Sequence, residues 1–178
     1  MPEAPPQRTE HGLLPTGEQG WYVLNAREAE WREYALGNWP RLEGAQTAFE
    51  QLGVGISVLQ PGQPMTMYHW EDEQEDFLIL AGEALAIVEG EERPLRQWDL
   101  LHCPRGTNHA IVGAGDGPCL VFAVGTRLAE GDWGAYTVDE AAQRHGAGVA
   151  EETTQSKVAY APYDDPVTVR YRDGWLPE

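Results

Sequence analysis

The sequence has little of what several common function classes require. Only two cysteines occur in 178 residues. Cys103 and Cys119 fall in separate predicted strands, which argues against a disulfide scaffold and for two reduced thiols. No apolar run approaches the ~20 residues of a membrane-spanning helix, and the opening MPEAPPQRTEHG carries neither a basic nor an apolar leader segment. A soluble, cytoplasmic protein is the expectation. Basic side chains are scarce, with 12 Lys and Arg against 29 Asp and Glu and a formal charge of -17. Nucleic acid and anionic membranes would be approached against repulsion, so neither is an expected partner. Also missing are a phosphate-cradling glycine loop, a G-x-S-x-G nucleophile turn, an internal repeat and any low-complexity tract.

What is present reads as one domain, long enough to bury roughly two thirds of the surface of its unfolded chain. Residues 1–19 are proline-rich and aperiodic, an irregular arm. Residues 20–46 predict a strand at WYVL (21–24) and a short helix, with Asn25 and Glu28 as a capping box before AREAEWREYA and Gly37 as its end. Trp31 and Tyr34 would then share a helix face. Residues 47–126 are strand-rich: Val54, Ile56 and Val58 alternate with small or polar neighbours, PGQP (61–64) breaks the run, and the apolar stretches at 77–89, 98–103 and 110–125 are separated by turn signals. That spacing predicts an all-β barrel or sandwich. Residues 127–178 predict a helix over VDEAAQRH, capped by Thr137 and Glu140 and stopped by Gly146. An extended arm follows, whose Tyr160, Tyr163, Tyr171 and Trp175 are too apolar for a free tail. The arms are expected to pack over the barrel or over the second subunit of a homodimer.

The chemistry concentrates between residues 61 and 109. His69, Glu71 and Glu75 lie within seven residues of one another, and His102, Cys103 and His109 precede another apolar run. The block resembles a cupin, a small β-barrel (jelly-roll) family whose two motifs, G-x5-H-x-H-x3-4-E-x6-G and G-x5-P-x-G-x2-H-x3-N, usually build one metal site. Gly62, Glu75 and Gly82 stand in first-motif register, and Pro104, Gly106 and His109 reproduce P-x-G-x2-H. The likeness covers about 48 to 125. In strict register Tyr68 and Trp70 occupy the two first-motif histidine positions. Trp98 stands where the second motif opens with glycine, and Val112 or Gly113 stands near its closing asparagine.

A displacement of one residue after PGQP, through a bulge or a longer turn, would place His69 and Glu71 on the inner face together. The ligand set would then be His69, Glu71, Glu75 and His109, with His102 or Cys103 as an alternative ligand, since only one of that adjacent pair can point inward. Two imidazoles and two carboxylates suit a divalent transition metal such as Mn, Fe, Ni or Zn, with open positions for water or substrate. The resemblance implies oxygenase, isomerase or lyase chemistry on a small organic molecule. Without the displacement, Tyr68, Trp70 and Trp98 would wall an aromatic, metal-free cavity, and the protein would be a non-catalytic small-molecule binding or sensing module.

Overall fold

A computed structural model describes residues 1–17, 20–44, 49–127 and 133–177. In chain order the strands are β1 (Gln7–Arg8), β2 (Leu13–Leu14), β3 (Glu30–Tyr34), β4 (Gly37–Pro40), β5 (Leu52–Leu59), β6 (His69–Glu71), β7 (Glu75–Ala81), β8 (Glu83–Val88), β9 (Glu91–Arg96), β10 (Leu100–Cys103), β11 (His109–Ala114), β12 (Cys119–Thr126) and β13 (Gly134–Tyr136). Then come helices α1 (Glu140–Arg144) and α2 (Ser156–Ala159) and strand β14 (Val167–Arg170). Two antiparallel sheets face each other. One has the order β10-β7-β12-β5-β4-β3-β14 and the other β13-β6-β11-β8-β9, while β1 and β2 pair by themselves in the N-terminal arm. The fold is therefore mostly β, as the turn spacing predicts. Among the described residues no helix is long and apolar enough to cross a membrane.

Period-two alternation sorts the strand residues between two faces. Leu59, Phe77, Ile79, Ala84, Ile111 and Val121 point between the sheets and form the inner core. On the outside of the smaller sheet, Tyr68, Ile87, Ala110 and Val112 pack under Ala141 and Ala142 of α1. On the outside of the larger sheet, Trp31, Val58 and Leu120 are covered by Tyr171, Trp175 and Leu176 of the C-terminal arm. The Trp31 ring lies 4.9 Å from that of Trp175 and 5.7 Å from that of Tyr171. The aromatic residues of the C-terminal arm thus pack on the barrel within one chain.

The tight hairpins follow from local chemistry. Glu89 and Gly90 both adopt positive φ, 49° and 76°, which lets two residues join β8 to β9 with the twist that paired strands require. Gly82, between β7 and β8, has φ 74°, and a Cβ there would sit 2.4 Å from the Pro118 carbonyl oxygen and 2.9 Å from Cys119 Cα. The hairpin end and the β11–β12 connection touch backbone to backbone at that point. Gly82→Ala is expected to lower the unfolding free energy by about 2 kcal/mol or more, from left-handed backbone strain plus the clash. Urea unfolding should show this as a lower midpoint at unchanged slope.

Two local expectations are corrected. The predicted helix over 26–35 is a turn followed by β3. The Asn25 side chain accepts from the Arg27 N–H at 2.9 Å and its carbonyl accepts from the Glu28 N–H at 2.9 Å. Asn25 therefore closes a turn that no helix continues. The reason is tertiary: β3 pairs with β4 on one side and β14 on the other, and such pairing overrides a weak local helix preference. WYVL is not a strand either; Trp21 makes only an isolated bridge to Glu3, and Val23 is exposed. The C-terminal helix forms as α1, capped by the Asp139 carboxylate, which accepts from the Ala142 N–H at 2.8 Å. Two residues of the 47–59 strand-rich stretch, 47 and 48, lie outside the described residues, as do the segment ends at 18–19, 45–46 and 128–132.

Candidate metal centre

The site spans the two sheets. On the smaller sheet β6 pairs with β11 so that His69 stands directly opposite His109, which places both imidazoles on one face with ring centroids 4.8 Å apart. On the larger sheet Glu75 opens β7, paired with Cys103 of β10 and Gly125 of β12. Its Oε2 lies 3.1 Å from His109 Nε2 and 3.9 Å from His69 Nε2, and Glu71 Oε1 lies 3.3 Å from His69 Nε2. One donor atom from each of His69, Glu75 and His109 falls within 4.8 Å of the other two.

Irregular backbone before β6 makes this convergence possible. Pro64 bridges Val112, and five residues later His69 pairs with His109, three residues back along β11. The surplus residues are taken up by bends at Met65 and Thr66. The surplus of two residues brings His69, rather than Met67, level with His109; His69 and Glu71 face inward, and Trp70 between them faces the other way.

Both imidazoles are oriented by their own backbone. His69 Nδ1 lies 2.7 Å from the Met67 carbonyl and His109 Nδ1 lies 3.0 Å from the Thr107 carbonyl. A proton held on each Nδ1 by a carbonyl leaves the Nε2 lone pair aimed at the carboxylates, the arrangement in which metal-ligating histidines are usually held. His69 and His109 are 5% and 3% exposed, yet His109 Nε2 and Glu75 Oε2 lack a well-directed hydrogen bond despite their short separation. Buried polar atoms are rarely left so, because each unsatisfied group costs about 1–3 kcal/mol. A cation coordinated by both atoms removes that penalty, and the donor set fits one.

The same contacts decide protonation in the metal-free site. Burial disfavours the charged form of His109, but its contacts with Cys103 and Glu75 outweigh this and raise the pKa to about 10. Burial would raise the Glu75 pKa, and the neighbouring His109 and His69 hold it below the ordinary carboxylate value instead. Without a metal, Glu75 and His109 form a buried ion pair.

Other predicted site residues are placed differently. Tyr68 lies on the outer face under α1, its hydroxyl accepting from the Gly90 N–H at 3.1 Å, and burial pushes its pKa up to about 12. Trp98 is 67% exposed in a left-handed turn residue between β9 and β10. Neither these two nor Trp70 walls the interior, because alternation and turn geometry turn them outward. His102 is also on the outer side, bonded through Nδ1 to Asp76 Oδ1 at 2.6 Å. Its neighbour Cys103 points inward, buried in the core beside His109.

Two rings that the sequence reading did not single out, Tyr136 and Trp133, and Tyr160 of the C-terminal arm surround the cluster. Tyr136 and Trp133 place their rings 5.7 Å and 6.3 Å from that of His69, and Tyr160 meets Tyr136 edge-on at 5.5 Å. A cavity of about 310 Å³ opens at Glu71, Glu73 and Glu75 against Gly53, Gly55 and Gly125. The glycine pair at alternate positions of β5 is the one sequence signal that could have pointed to a bare inner wall.

Residues 55–125 match the family described as Cupin domain. Among solved structures, a sugar phosphate isomerase of the cupin superfamily from Silicibacter pomeroyi DSS-3 is 22% identical, with TM-score 0.54 over 67% of this chain and 88% of that one. A predicted oxalate decarboxylase from Thermotoga maritima is 22% identical, with TM-score 0.51 over 60% and 99% of the two chains. A polyketide cyclase from Streptomyces resistomycificus is 13% identical, with TM-score 0.50 over 58% and 78%. Of another similar protein, from Acidithiobacillus ferrooxidans, this chain covers 55%. At these identities the likeness establishes the fold. No curated protein matches the chain.

Proposed function

Residues 55–125 form a cupin domain, and we propose that it binds one divalent transition metal through His69, Glu75 and His109, with Glu71 as a fourth ligand, and acts on a small organic molecule at the metal's open positions. The observation that carries this reading is the convergence of one donor atom from each of His69, Glu75 and His109 within 4.8 Å, with both Nδ1 atoms against backbone carbonyls. Mixed imidazole and carboxylate donors favour Mn, Fe, Ni or Zn over thiophilic ions. A metal so held supplies Lewis acidity to an oxygen-bearing substrate. The chain's own residues supply the rest: the Met67 and Thr107 carbonyls fix the imidazoles, Phe77 packs 5.3 Å from the His109 ring, and Glu71, the more exposed carboxylate, would exchange a proton with a bound molecule if it is not itself a ligand. Isomerase, cyclase and decarboxylase are the activities named for the structures of similar fold. We extend to this chain only their common element, a small substrate at the barrel mouth.

Protein purified without added metal and measured by elemental analysis is expected to hold about one transition metal per chain. His69→Ala and His109→Ala should each lose it while keeping the far-UV spectrum of a folded β protein. A metal content near zero in the parent protein, or full occupancy in both variants, would overturn the reading.

A further inference from the structure

With 29 acidic side chains against 12 basic ones, most arginines in this chain are expected to find a carboxylate. Arg41, Arg93, Arg105, Arg127, Arg144 and Arg172 do so. Among the described residues Arg8, Arg27, Arg32, Arg96 and Arg170 form no ion pair, and Arg8, Arg27 and Arg170 line one cavity of about 270 Å³. The side chains of Arg8 and Arg170 also donate no hydrogen bond among the described residues. Both are exposed at the cavity rim.

Three separate segments build this cavity. Arg8 and His11 come from the β1–β2 hairpin, Arg27 and Glu28 from the turn before β3, and Arg170 and Tyr171 from the end of β14. The hairpin is anchored to the turn: the Leu13 N–H donates to the Glu28 carbonyl at 2.7 Å. Gly12, at φ 145°, lies so close to the turn that a Cβ would sit 2.6 Å from the Ala29 carbonyl oxygen. Glu30, opposite Arg170 across the β3–β14 pair, adds no free charge, because Arg41 holds its carboxylate at 2.9 Å and the Thr9 hydroxyl donates to it. The Arg27 guanidinium lies 5.7 Å over the Tyr171 ring and donates to the Pro177 carbonyl. A guanidinium has five N–H donors, so this contact orients the group without exhausting it.

We propose that this cavity, assembled by the N-terminal arm, the turn before β3 and the end of β14, binds a small dianion of the phosphate or phosphate-monoester class on Arg8, Arg27 and Arg170. Three guanidinium groups there meet one carboxylate, Glu28, and the planar N–H forks of arginine match phosphate oxygens in pairs. The formal charge of -17 opposes an anion at long range, but at physiological ionic strength screening sets in within about 8 Å. Inside the cavity the arginines therefore outweigh the rest of the surface. The volume lies just under the ~300 Å³ at which small-molecule pockets begin, so the site admits a phosphate on a short organic body and no large ligand. In the larger sheet β12, β5 and β4 separate β3 and β14 from β7, which carries Glu75, and the anion site needs no metal.

Calorimetric titration of the full chain as purified with inorganic phosphate, and separately with acetate, tests this. Phosphate is expected to bind about tenfold or more tightly than acetate. Arg8→Ala and Arg170→Ala should each weaken phosphate about tenfold, and Glu28→Gln should strengthen it. The melting temperature and metal content of the two arginine variants should match the parent, because both side chains are exposed and bond to nothing in the chain. Arg96→Ala removes an exposed, unpaired arginine from outside the cavity and should leave phosphate affinity unchanged. Phosphate held by a metal at His69 and His109 would be indifferent to Arg8 and Arg170, so binding that survives both substitutions overturns the proposal. No binding at ~10 mM, acetate binding as tightly as phosphate, or an Arg96→Ala loss equal to that of Arg8→Ala overturns it too.

Discussion

Removing the metal with a chelator is expected to lower the melting temperature by roughly 8–16 °C, and one equivalent of metal should restore it. A ligand bound only by the folded chain, at a free concentration about a thousandfold above its dissociation constant, stabilises by ~4 kcal/mol. For a domain of this length each kcal/mol shifts the midpoint by about 2–4 °C. The effect should be large here because His69, Glu75 and His109 come from three strands on two sheets. Their donor atoms converge only in the folded barrel, so the unfolded chain offers no comparable site. In His109→Ala the difference between chelated and metal-loaded protein should nearly vanish. The metal-free variant should also melt below the metal-free parent, because Glu75 loses its buried partner, a change that costs about 3–5 kcal/mol in buried pairs. A parent whose melting curve ignores both chelator and added metal would remove the metal from the account.

The barrel was legible in the sequence because its signals are local and repeated. Gly62, Gly82 and Gly106 adopt positive φ where the family spacing puts a glycine, and Gly90 does so in the β8–β9 turn. The apolar run FLILAGEALAIVE folds as β7 and β8, whose alternation puts Phe77, Ile79 and Ala84 inside and Leu85 and Ile87 outside. The segment 20–40 was misread for the opposite reason. Its capping-box pattern is a local signal, while the strand it becomes is held by β14, more than 130 residues away in sequence, and nothing near Trp31 announces that partner.

The site was legible as a choice between two registers. Strict motif spacing points Tyr68 and Trp70 inward, and displacement by one residue points His69 and Glu71 inward. The structure turns His69 and Glu71 toward Glu75 and His109, and the bent stretch from Met65 to Tyr68 takes up two surplus residues so that His69 stands level with His109. Bends without glycine leave little trace in sequence. Arg127, Tyr136 and Trp133 escaped notice because they come from beyond the motif block, and their proximity to it is created only when β12 and β13 close the barrel. The pairing of Gly53 with Gly125 across β5 and β12 similarly requires the register of two strands far apart in sequence.

Metal binding at neutral pH should release about one proton per metal, and its affinity should rise nearly tenfold per pH unit across the neutral range. The metal-free site holds one proton on His109 beside Glu75, because contacts with Cys103 and Glu75 raise His109 from 6.5 to about 10 while His109 and His69 lower Glu75 from 4.5. A metal on His109 Nε2 must displace that proton. The folding contribution of the metal-free pair has the opposite pH dependence. For Glu75, whose folded pKa is lowered, the stabilisation is present above the unfolded value and is lost as pH falls through the folded one. For His109, whose folded pKa is raised, the stabilisation is fully present below 6.5 and is lost as pH rises toward about 10. Both hold together between pH 4.5 and 6.5, so the metal-free barrel should draw most from this pair in mild acid. As pH climbs beyond that window, the apo protein weakens while metal affinity grows, and the gap in melting temperature between the two forms should widen. Calorimetric titrations at pH 8 in buffers of different ionisation enthalpy measure the released proton directly. An ordinary His109 would already be neutral there and release almost none, so a count near zero would show that the metal meets a free imidazole not held protonated by Cys103 and Glu75.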